Sequence, residues 1–355
     1  MKNNFKQVMQ IAAVFIGTVV GAGLASGQEI TQFFTTYGFK SFIGIFICLL
    51  IYIIVCPIIS SISIEYNLNS YDQLISLVSP GFLGTVTDLV TGFFLVSSAA
   101  IILAGSGALL HQYFGISRYV GLILMAILSI YTLLKDTDGL VAINSFIVPS
   151  LITVILSIFI LYSIFFGKYM TLENIMNFKA TKPLIVNEQW FFSALLYAGF
   201  NMLCCSGVLV PLSKEINNKR NMRKGIIIGG IGLTLICMMI NLMLGLNIPN
   251  IFKYEIPLLY IAKPFGAIVQ IVLLCIIFCE MFSTEVSDIY SVAKTLEQKY
   301  KLNYKKGIFY VMAVAIPISQ LGFKNLINVL YPAFGALSLI FVIQCVLFKR
   351  KKKIR

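Results

Sequence analysis

Ten long apolar stretches, separated by short polar connections, leave this chain little choice of solvent. They cover residues 8–34, 41–63, 85–110, 119–134, 141–166, 190–212, 226–246, 267–293, 307–322 and 326–348. A helix needs about 20 predominantly apolar residues to cross a bilayer, so each stretch reads as a membrane span, the fourth and ninth being short. Composition agrees: 59% of the residues are hydrophobic and only 12% charged. The mean hydropathy is +0.92. A soluble domain of that composition would have no wettable surface. The sequence therefore predicts an all-α polytopic membrane protein.

The net charge of +13 does not point to nucleic acid, because the basic residues sit in short clusters between apolar runs and in the tail at 349–355. Anionic lipid headgroups fit that placement. Their distribution also orients the chain. The side holding both termini collects 19 Lys and Arg, and the other collects 8. By the positive-inside rule both termini are cytoplasmic. Lys2, Lys6, the apolar stretch after them and Ala25-Ser26-Gly27 also resemble a signal peptide with its cleavage site. Against this, the stretch is interrupted by Gly17, Gly21 and Gly23 and runs on through Ile30, Phe33 and Phe34. We read it as a retained helix.

The glycines of the first span fall at Gly17, Gly21 and Gly23, and the sixth span carries its own weak point at Tyr197-Ala198-Gly199-Phe200-Asn201. Gly199 lies half a chain length beyond Gly21. Five spans that start in the cytoplasm put the next five in the opposite orientation. The predicted architecture is a single transmembrane domain, residues 1–355, with repeat one at about 6–167, repeat two at about 188–348 and a basic tail at 349–355. Spans 1 and 6 would be discontinuous. Glycines in membrane helices also serve close packing, and Gly17-xxx-Gly21 is such a pattern. Three glycines in seven residues, followed by Ser26, Gln28, Glu29, Thr31 and Gln32, favour unwound backbone lining a polar cavity.

With these features the chain resembles the YkvI-like bacterial membrane proteins, relatives of the amino acid, polyamine and organocation transporters with the LeuT-type fold. The most specific motif is Gly17-x-x-Val20-Gly21-x-Gly23, similar to the first-helix string of sodium-coupled members. The resemblance implies a Na⁺ site built from carbonyls of Gly17 and Val20, the carbonyl of Glu280 and the hydroxyls of Ser283 and Thr284. Depth agrees: at 1.5 Å per residue Gly17 stands about 14 Å above the start of its span and Ser283 about 15 Å above the cytoplasmic end of the eighth. Carbonyl and hydroxyl oxygens suit a hard cation, with no transition metal. Ser and Thr in membrane helices also bond their own i−4 carbonyl. Two departures stand out: Leu24 occupies the place of an asparagine that serves a second sodium site in some relatives, and Glu280 brings a carboxylate where relatives have a small neutral residue.

Ionisable groups at membrane depth cost about 2.5 to 3.5 kcal/mol on insertion scales, so each calls for a reason. Glu29 lies just beyond the first break, where it could meet a solute amine or cap the outer half-helix. Glu280, beside the cation site, could titrate in the ion's place or pair with a neighbouring helix. Glu285 and Asp288 read as interfacial or paired with loop lysines. For the solute, exposed N–H groups at Gly21, Ala22 and Gly23 favour a carboxylate. Ser26, Glu29, Ser97, Ser98, Tyr197 and Asn201 complete the predicted site, and an amino acid or similar zwitterion is the expected ligand.

Eight cysteines fall in apolar runs without metal-ligand spacing, and the single His111 has no partner motif, so packing explains them. No protease constellation and no phosphate loop is present, which argues against an enzyme and against any nucleotide-driven pump. The sequence thus predicts a secondary active transporter of the bacterial inner or plasma membrane, a Na⁺- or H⁺-coupled symporter of a small amino-acid-like solute. No cofactor beyond the coupling ion is expected, and the partners are the solute and the lipid bilayer. The alternative is a non-transporting receptor on the same scaffold, resembling the membrane subunit of spore germinant receptors.

Overall fold

The computed structural model describes residues 2–79, 81–135, 140–178, 180 and 188–354, with the backbone alone described at 2–3, 82–83, 85–91, 140–145, 298–300 and 352–354. Within them the regular structure is helical throughout. In chain order the α-helices are α1 (Lys2–Val19), α2 (Ala22–Ser26), α3 (Gln28–Phe33), α4 (Lys40–Tyr66), α5 (Tyr71–Val78), α6 (Phe82–Phe114), α7 (Arg118–Lys135), α8 (Leu140–Phe166), α9 (Leu172–Met176), α10 (Trp190–Ile216), α11 (Lys219–Gly245), α12 (Pro257–Ala262), α13 (Ala267–Tyr300), α14 (Tyr304–Ser319) and α15 (Phe323–Ile354).

Among the described residues eight helices are long and apolar enough to cross a membrane. The two predicted spans outside that set are instructive. The first is cut into α1, α2 and α3, as its glycines imply. The ninth is α14, whose 16 residues reach about 24 Å, short of the roughly 30 Å hydrocarbon core. The faces of the long helices turned away from the protein carry Ile54, Ile123, Ile127, Ile160, Ile164 and Ile343, all exposed, as lipid contact requires.

Helix ends follow local chemistry. α4 stops at Asn67 and α10 at Asn217, both left-handed (φ 53° and 46°), a conformation asparagine tolerates and most residues do not. Asn218 then caps α11, its side-chain oxygen accepting from the N–H groups of Arg220 and Asn221 at 3.0 and 3.1 Å. Two adjacent asparagines thus end one span and start the next.

The sixth span departs from the sequence expectation. α10 runs unbroken from Trp190 to Ile216, through Gly199. The reason is packing: a Cβ at Gly199 would lie 2.9 Å from the carbonyl oxygen of Gly335, and one at Gly335 would collide with the carbonyl of Leu196. Gly199 and Gly335 let α10 and α15 touch backbone to backbone, the small-residue contact known from membrane helices. With a single glycine and no proline nearby, nothing removes the hydrogen bonds of that turn.

Neighbour relations define the bundle. α1 packs against α11, and α10 packs against α4; α11 and α4 also touch each other. Around this group α6 packs on α7 and α13, and α13 on α14. α15 spans the two groups, with contacts to α10, α6 and α4.

Candidate functional site

The site grows out of the break in the first span. α1 ends at Val19, and Gly21 is extended (φ −109°, ψ −171°) before α2 begins. The N–H of Val20 still reaches the Ile16 carbonyl at 2.8 Å, whereas that of Gly21 turns back to Val19 at 3.0 Å. The carbonyls of Gly17, Thr18 and Val20 therefore accept no hydrogen bond among the described residues. On the other side the N–H groups of Ala22, Gly23 and Leu24 open a helix and have no carbonyl of their own to meet. Such groups are tolerated at membrane depth only where another partner serves them. A Cβ at Gly21 would meet nothing within 4 Å, so the break borders open space.

Gly27, at φ +80°, turns the chain a second time and separates α2 from α3. Its Cα faces the side chain and backbone N of Leu258 in α12, where a side chain would be crowded. The hydroxyl of Ser26 donates to the Gly23 carbonyl (2.8 Å) and accepts from the Gln28 N–H (3.2 Å). Ser26, predicted to touch solute, fastens this turn.

The turn folds Glu29 back over the break. Its carboxylate lies against Gly23, so close that a Cβ there would overlap it. Glu29 is 3% exposed. The phenols of Tyr197 in α10 and Tyr331 in α15 face its carboxylate. Rings pack around both phenols: Phe33 and Phe34 at 5.3 and 4.9 Å from Tyr197, and Phe200 stacked at 4.4 Å on Tyr331. Asn201 donates to the Tyr197 carbonyl at 3.0 Å.

The two predicted serines of α6 diverge. Ser98 faces Asp288, while the hydroxyl of Ser97 is buried without a partner among the described residues. Asp288 and Glu29 both have Tyr331 and Cys204 as neighbours, so the α13 carboxylate belongs to the same polar region. This corrects the sequence reading of Glu285 and Asp288. Glu285 is 0% exposed and Asp288 9%, and no lysine reaches either among the described residues. Tyr331 and Asp288, with Glu285 beside Asp288, are the candidate-site residues that the sequence did not single out. A helical face carrying Glu285 and Asp288 three residues apart was the signal available for two of them; a lone tyrosine in the last span offered none.

The proposed cation ligands are less gathered. Gly17 remains inside α1, where a Cβ would lie 3.3 Å from Val148 of α8. Its carbonyl and that of Val20 accept no hydrogen bond among the described residues. Thr284 donates its hydroxyl to the Glu280 carbonyl at 3.0 Å, the i−4 bond common in membrane helices, and keeps lone pairs for a cation. Ser283 is buried. One oxygen of the buried Glu280 carboxylate has no partner among the described residues. α13 passes alongside α2, next to the break.

No family model matches the chain. It is 29% identical to the uncharacterized membrane protein YkvI of Bacillus subtilis (strain 168) over 343 residues, 96% of each chain. Among solved structures it is similar to Mhp1, a nucleobase-cation-symport-1 family transporter, in a closed conformation (TM-score 0.63, 12% identity, 95% of this chain and 77% of that one). It is also similar to MhsT in complex with L-phenylalanine (TM-score 0.61, 14% identity, 96% and 88%). A manganese transporter of Eremococcus coleocola superposes with a TM-score of 0.65 at 16% identity, over 98% and 79%. These likenesses establish the LeuT-type fold across nearly the whole chain.

Proposed function

We propose, for a YkvI-like membrane protein of LeuT-type fold, ion-coupled symport of a small solute of amino-acid size. One observation carries this: the first span is broken at Val20–Gly21, leaving open carbonyls on one side and open N–H groups on the other inside a helical membrane bundle. Unpaired backbone at that depth is compensated by a bound ion and a bound solute. The carbonyls of Gly17, Val20 and Glu280 with the hydroxyls of Ser283 and Thr284 would hold Na⁺. The open space beside Gly21, two residues from the Gly23 on which Glu29 lies, would hold the solute, and Glu280 is the place where a proton could replace the sodium ion.

The neighbour relations support a 5+5 inverted repeat of ten spans. If spans one to five correspond to six to ten, the contact of α1 with α11 corresponds to that of α10 with α4, and both are present. In this reading residues 1–355 form one transmembrane domain in the cell membrane, with both termini and the basic tail at 349–355 cytoplasmic.

Uptake of a radiolabelled amine and amino-acid panel into proteoliposomes, with and without a sodium or proton gradient, tests the proposal. Gradient-dependent accumulation is expected. Binding without accumulation would replace transport with a receptor role.

A further inference from the structure

A cavity of about 1240 Å³ opens at the C-terminal ends of α8 and α11, bordered by Tyr162 and Phe166 of α8, Tyr260 of α12 and Lys263. None of its lining residues belongs to the site at the broken span. Its polar wall is largely spent on itself. Asn247 donates to the Tyr162 phenol and to the Met243 carbonyl, both at 2.8 Å, and Asn174 donates to the Tyr169 carbonyl at 2.9 Å. One charge is left over. Lys263 is the only charged side chain in the lining, is exposed, and makes no ion pair among the described residues. No Asp or Glu lines the cavity.

The cavity is contiguous with the lipid-facing surface. Phe265 packs against both Phe165 and Phe166, with ring centres 5.9 and 6.2 Å away. Phe166 lines the cavity, whereas Phe165 is 65% exposed next to the lipid-facing Ile164. A single ring thus joins the two surfaces. We propose that this cavity seats an anionic phospholipid of the outer leaflet, its phosphate on Lys263 and its glycerol and upper acyl chain along Tyr162, Phe166 and Tyr260.

The chemistry fits an amphiphile. Rings and aliphatic side chains with one cation at the rim match an apolar body carrying one anionic group, whereas a sugar or peptide would need the hydrogen-bonding groups that the wall has already used. Span ends are also the depth at which aromatic rings and lysines meet headgroups. The volume exceeds the roughly 300 to 1,000 Å³ of small-molecule pockets. A zwitterionic headgroup would bring a second cation beside Lys263, with no carboxylate in the lining to receive it. Seated there, the lipid bears on α12, whose Tyr260 borders the cavity and whose Leu258 meets the turn at Gly27.

The inference does not depend on what the protein carries. Full-length protein in neutral detergent is titrated with dihexanoyl-phosphatidylglycerol, dihexanoyl-phosphatidylcholine or inorganic phosphate while its melting temperature is followed. Phosphatidylglycerol is expected to raise it and the other two to leave it unchanged. Lys263→Gln should weaken the phosphatidylglycerol affinity about fivefold, the share of one lysine at an anionic surface. Asn177→Trp, which fills the cavity from an exposed lining position, should weaken it with the charge intact. Lys253→Gln removes an exposed lysine outside the lining and should bind as the parent does. Equal stabilisation by phosphatidylcholine overturns the anionic headgroup, and equal stabilisation by inorganic phosphate overturns the lipid. A loss in Lys253→Gln as large as in Lys263→Gln, parent affinity in both Lys263→Gln and Asn177→Trp, or no stabilisation by any of the three overturns the site.

Discussion

The carboxylate of Glu29 occupies the space that a side chain at Gly23 would need. The two residues lie six apart in the sequence, on either side of the turn at Gly27. Only a bare Cα at position 23 lets α3 bring its acid back to the opening of α2. Gly23→Ala should push the Glu29 side chain aside, at little packing cost because the end of a flexible side chain gives way, and abolish solute-dependent stabilisation. A melting curve with and without solute checks both; unchanged solute stabilisation in Gly23→Ala would sink the assignment of Glu29.

The same logic applies with different stakes to Gly335. A methyl group there collides with the Leu196 carbonyl, which is backbone and cannot rotate away. Gly335→Ala should destabilise the protein by about 1 to 3 kcal/mol, and Gly335→Leu should prevent folding in detergent. Melting temperature and yield of monodisperse protein are the readouts. A Gly335→Leu variant as stable as the parent would mean that α10 and α15 do not meet there.

For the cation site, removal of both hydroxyls in Ser283→Ala with Thr284→Ala should eliminate the difference in melting temperature between sodium and choline buffers. The fold should persist, because Thr284 donates only to its own helix. Sodium dependence equal to that of the parent would refute these ligands.

At the membrane surface Glu65 joins three spans. It closes α4, accepts from Lys219 at the start of α11 at 2.6 Å, and pairs with Lys349 at the end of α15. Lys349 also donates to Ser61 at 2.9 Å. The carboxylate is 19% exposed and the lysines more, so salt and water screen it. Glu65→Gln should cost no more than about 1 kcal/mol, less at high salt. A melting-temperature comparison at low and high ionic strength measures it, and a loss that grows with salt would contradict the clasp.

The sequence by itself determined the solvent of this protein and most of its spans, because helices in lipid must satisfy their own backbone and must be about 20 apolar residues long. It also located the break of the first span within the string from Gly17 to Gly23, but not the second turn at Gly27, whose φ of +80° favours glycine. What it could not decide was which glycines unwind a helix and which bring two helices together. Gly21 and Gly199 look alike in a string of letters; one borders open space and the other touches the backbone of α15. Nor could it join Glu29 to Tyr331 and Asp288. Those residues are hundreds of positions apart, and the meeting depends on how α15 crosses α10 and how α13 lies along α6. Packing against distant helices is set by the shape of whole faces, which no local pattern encodes.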